Sequence, residues 1–199
     1  VLETSLLDEL DAHHCDAVTG RAGSAAMLRA VRQVGLIELN ENSWRYPEHI
    51  RDVLRRALDE RVSADERLAL ARRTAEVSGR DRAIELLTEM GDEASAAEVV
   101  AAAGRELLDL PGGRVPPSWL ATFRSPNAIS RLGGNCDPST HAWLETLVGI
   151  ATLDDGDVAT AVPHLNRAVA AMRAERDNAG LHRAAYARAE AHLMWGEAA

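Results

Sequence analysis

Within Asp11 to Gly20, DAHHCDAVTG, four consecutive side chains have the chemistry of zinc ligands: His13, His14, Cys15 and Asp16. Imidazole, thiolate and carboxylate all bind that ion. Their spacing argues against a shared site. Structural zinc centres separate paired ligands by a few residues, whereas neighbours on a helix diverge by about 100°. The only other cysteine, Cys136, has no ligand-spaced partners near it to complete a tetrahedron. No metal is expected, and the stretch reads as a short helix with Cys15 half-buried.

Other catalytic patterns are missing. All 22 basic residues are Arg, so a phosphate-binding loop ending in Gly-Lys-Ser/Thr is ruled out in its usual form. Gly112-Gly113 and Gly133-Gly134 follow no strand and read as loop glycines. There is no G-x-S-x-G, H-E-x-x-H or C-x-x-C. The acid pairs Asp8-Glu9, Asp59-Glu60 and Asp154-Asp155 are adjacent, so their carboxylates diverge into solvent. His141, His164, His182 and His192 are scattered over the second half and suit surface edges or satisfied packing positions. Trp119, Trp143 and Trp195 fall in apolar stripes and read as core anchors. No catalytic, cofactor-binding or metal-binding residue is assigned, and no enzyme is expected.

The elements that carry these residues are mostly helical. Leu2, Leu6, Leu7 and Leu10 predict a helix over 2–10, and a second runs from Asp11 or Ala12 to Thr19 with Gly20 as its C-terminal stop. Ser24 is expected to cap a third helix, with Ala26 or Met27, Ala30, Val31 and Val34 facing inward and Gly35 ending it. The period then changes. Leu36 to Leu39 and Trp44 to Tyr46 flank the polar turn Asn40-Glu41-Asn42-Ser43, which predicts a β-hairpin. Three helices and a hairpin is the order of a winged helix.

From Glu48 to Leu108 the pattern is helical again. One helix carries Ile50, Val53, Leu54, Ala57 and Leu58; the next opens on a Ser63/Glu66 capping box with Leu68, Ala71 and Ala75 as its stripe; a third spans Asp81 to Met90. Two phrases echo each other, GDEASAAEVVAAAGRELL from Gly91 and GDVATAVPHLNRAVAAM from Gly156. They are 65 positions apart, near two tetratricopeptide periods of about 34 residues. Thr140 to Leu153 and Val158 to Arg176 form one helical pair, with Pro163 inside the second, and Leu181 to Trp195 starts another. Residues 110–138, rich in Pro and Gly, read as a connector with one short helix around Trp119 to Phe123.

Charge narrows the partners. The net charge is −9, and residues 1 to 63 hold eight Arg against eleven acids. The third helix, where a winged helix would read bases, has only Arg29 and Arg32 as cations. Direct DNA binding by this segment is not expected, because it needs several cations to neutralise phosphates. Two cysteines without a disulfide framework point to a reducing, cytoplasmic compartment, and no apolar run approaches the ~20 residues of a membrane span. The first residue is Val1, which points to a piece of a longer protein.

The series LETSLLDEL, CDAVTG, VGLIELNENSWRY and IRDVLRRAL resembles the winged-helix segment of the large ATP-binding LuxR-type regulators, the MalT-like branch of the STAND signalling ATPases. GRDRAIELLTEMGDEASAAEVV and PSWLATF are similar to the helices that follow it there. The likeness implies a mainly α architecture: a winged helix over 1–62, a helical arm and linker over 63–138, and the start of a tetratricopeptide-like superhelix over 139–199. It implies a non-catalytic regulatory segment of a transcription regulator, coupling an ATPase switch to signal sensing. Its partners would be its own ATPase domain and an inducer or inhibitory protein, with self-association an option and no membrane. ATP or ADP would bind outside this segment. One position departs from the family. A histidine there follows Arg-Tyr and reaches the nucleotide, whereas Arg45-Tyr46 is followed here by Pro47 and Glu48, with His49 displaced by two. The rival reading is a free-standing helical-repeat adaptor.

Overall fold

The computed structural model describes residues 1–40, 43–125 and 127–198. It is mainly helical and divides into two compact units, Val1–Met90 and Gly91–Ala199. None of the helices among the described residues is long and apolar enough to cross a membrane.

The first unit opens differently from the sequence expectation. Only Glu3–Leu6 is helical, as a single 3-10 turn, and Leu7 is already extended. The Leu10 N–H donates to the Trp44 carbonyl at 2.6 Å, so a hairpin strand takes the donor that a continuing helix would have used. Leu6, Leu7 and Leu10 are nevertheless buried. Helix α1 (Ala12–Thr19) begins at Asp11, which accepts from the His14 N–H, and ends at Gly20 with φ 66°. Helix α2 (Ser24–Gln33) is not capped by Ser24: Gly23 holds the N-cap, and the Ser24 N–H donates to Asp16 at 2.8 Å. A carboxylate from the preceding helix therefore satisfies the orphan donor. The inward face of α2 is Ser24, Met27, Leu28 and Val31, so of the alternatives Ala26 and Met27 it is Met27 that faces the core, while Ala30 and Val34 point outward, opposite to expectation for those two.

Strands β1 (Glu38–Asn40) and β2 (Ser43–Arg45) pair antiparallel with Leu39 opposite Trp44. The expected turn at Glu41 and Asn42 lies outside the described residues. Helices α3 (Glu48–Arg61), α4 (Ala64–Val77) and α5 (Arg80–Glu89) complete the unit, with the Ser63/Glu66 capping box formed. On α3 Val53 is exposed, and on α4 the buried residues are Leu70, Ala71 and Thr74, one step from the expected stripe. Leu58, Leu70, Ala71 and Leu86 share one core with Leu6, Leu10, Cys15, Val18 and Tyr46, so α3 to α5 pack with the hairpin segment.

The second unit is built around α9 (Pro138–Asp154). Every residue from Ala142 to Gly149 is buried. A helix apolar on all sides needs neighbours on all sides. These are α6 (Glu93–Leu108), α7 (Pro117–Leu120), α8 (Ala128–Leu132), α10 (Val158–Glu175) and α11 (Asn178–Ala198). Residues 110–138, read as a connector with one helix, hold among the described residues two short α-helices and a 3-10 turn, Gly133–Asn135, and Trp119, Leu120, Phe123, Ile129 and Leu132 are buried. Glycine permits the closest helix crossings. A Cβ on Gly149 would sit 2.7 Å from Leu165, and one on Gly104 2.5 Å from Leu147.

The two echoing phrases adopt the same local structure. Gly91 and Gly156 have φ 72° and 82°. Asp92 and Asp157 then cap α6 and α10 through the N–H groups of Ser95 and Thr160. Pro163 lies on the exposed side of an unbroken α10. Trp143 is buried and donates its indole N–H to Asp177 at 3.0 Å, but Trp195, expected in the core, is 47% exposed. It follows the buried Ala191, and residues 192–196 are all exposed.

Candidate docking surface

The four clustered side chains of α1 go to four different places. Cys15 enters the core, where burial pushes its thiol up to about 11. It is a neutral packing group at neutral pH. His13 is exposed, and the His14 Nδ1 lies 2.6 Å from Asp11. Asp16 holds the start of α2, and the Ser24 hydrogen bonds keep its carboxyl below the usual range. Among the described residues, His, Cys, Asp and Glu form no group able to hold a metal ion.

Behind the hairpin, Tyr46 is buried with its hydroxyl 2.9 Å from Thr4 Oγ1, which donates to the Val1 carbonyl at 2.9 Å. Thr4 has one proton and spends it on Val1, so Tyr46 donates to Thr4. This bond locks β2 to the N-terminal turn. Asp8 makes a second tie, accepting from Arg51 Nη1 at 3.1 Å while Arg82 stands 3.5 Å away. A third runs from Arg73 Nε on α4 to the Val18 carbonyl at 2.9 Å. Pro47 starts α3, and Glu48 and His49 follow it on the surface.

These ties hold the hairpin segment and α1 in place, and the bond from the Ser24 N–H to Asp16 joins α2 to α1, leaving one face of α2 outward. Along α2 it presents Ala25, Ala26, Arg29, Ala30 and Gln33, ending at Val34, which is 70% exposed. On the hairpin Leu39 is 59% exposed beside Trp44, and the Arg32 guanidinium lies over the Trp44 ring at 4.6 Å. That stacking commits one of the two cations of α2 to an intramolecular contact. The face is apolar and small-residue rich. Arg29 is the exposed cation along it. The α2 phase predicted from sequence had Val34 inward and so missed this face; the Gly35 stop, which leaves no following turn to cover Val34, was the available signal.

A second polar cluster lies inside the second unit. Glu145 on α9 is 2% exposed and accepts from Arg167 Nε at 2.8 Å and Nη2 at 3.1 Å. His164 Nδ1 stands 2.6 Å from the same carboxylate, so its N–H points there. Burial works against ionising Glu145, yet hydrogen bonds from His164 and Arg167, with the Arg167 charge, hold its pKa below the ordinary value of 4.5. The cluster joins α9 to α10. His164 is thus in a satisfied packing position, while His182 and His192 are exposed and His141 is half-buried.

Residues 1–66 match the family model of the MalT winged helix domain. The match spans about a third of the chain and supports a relationship of this segment to MalT-like regulators. No curated protein matches the chain, and no solved structure does.

Proposed function

We propose that this chain is a non-catalytic regulatory segment of an ATP-dependent LuxR-type transcription regulator. Its winged helix docks on protein, in the first instance the ATPase domain of the same regulator, and the helices of the second unit form tetratricopeptide-like pairs that receive a signal. The observation that carries this reading is the match of residues 1–66 to the MalT winged helix domain on a unit whose α2 face is apolar instead of basic. ATP or ADP would be held outside this segment, and the cytoplasm is the expected compartment. The second reading, a helical-repeat adaptor, draws support from the identical Gly-Asp starts of α6 and α10.

Two measurements test the proposal. Fluorescence anisotropy with duplex DNA should detect nothing tighter than the non-specific level of about 10⁻⁴ to 10⁻⁶ M. Submicromolar, salt-dependent binding would overturn the docking role. In the full regulator, Val34→Asp with Leu39→Asp should loosen the resting contact and raise transcription without inducer. A reading frame lacking both an upstream ATPase and a downstream helix-turn-helix would favour the adaptor.

A further inference from the structure

We draw no further inference here: the strongest candidate, the cleft of the first unit between residues 7–9 and the start of α5 at Gly79, carries nothing, because Asp8, His14 and Arg82 in its wall are already paired with Arg51, Asp11 and Glu85, and nothing in the structure shows what fills it.

Discussion

A carboxylate at position 145, closed off from water between α9 and α10, takes two hydrogen bonds from Arg167 and one from His164, so removing its charge weakens the bond to the buried His164, while the half-exposed Arg167 can turn to water. Leaving a buried polar group poorly paired costs about 1 to 3 kcal/mol. Glu145→Gln should destabilise the second unit by about that much at neutral pH, as read from urea midpoints. The sign of the pH effect follows from the lowered pKa. The stabilisation is fully present above the ordinary value of 4.5 and is lost as pH falls through the lower folded value. The variant should therefore lose less stability on acidification than the native chain, and parallel pH profiles would sink this account. The acid in the apolar run AWLETLVGI was visible in the sequence. Its partners were not, because pairing α9 with α10 in register requires the helix crossing itself.

At the scale of elements, the crossing of α9 and α10 is set by Gly149 and Leu165. Leu165 is fully buried, as the stripe along α10 predicted. Leu165→Ala should cost about 2 to 5 kcal/mol through the cavity it leaves. A methyl on Gly149 would meet Leu165 at 2.7 Å, so Gly149→Ala should also destabilise, by about 1 to 3 kcal/mol from overpacking. The two changes touch the same space. The double variant should be more stable than the sum of the single losses predicts, by an amount a double-mutant cycle resolves. Strict additivity would mean that the helices do not meet there. Element existence was legible from sequence for α1 to α6 and for α9 to α11. The expected helix over 2–10 failed because its hydrophobic spacing also suits a short turn feeding a β-bridge, and only the Trp44 carbonyl distinguishes them.

At the scale of the whole molecule, contacts divide the chain at Met90, and the core of each unit closes within it. Hydrogen exchange on Leu165→Ala should lose protection across α6 and α9 to α11, while α1 to α5 keep theirs. The reciprocal change, Leu86→Ala in the first core, should do the reverse. Loss of protection in both units from either change would make the chain one cooperative domain. The involvement of α6 follows from its packing on α9, where Gly104 lets Leu147 approach.

Local grammar was determined by the sequence alone: helices bounded by Asp11, Gly20, Ser63, Gly91 and Gly156, a hairpin between residues 36 and 46, an acidic first segment, and the phrases that resemble a regulator's winged helix. Caps, turns and charge act over a few residues, and their signals survive in a one-dimensional string. Tertiary structure alone decided which apolar residues stay outside. Val34, Leu39, Tyr186, Leu193 and Trp195 are as hydrophobic as any core residue, and only the reach of neighbouring helices leaves them uncovered. It also decided that residues 110–138 belong to a core: Trp119, Phe123 and Ile129 are buried, and α7 and α8 pack on α9, a helix that the chain reaches only after them.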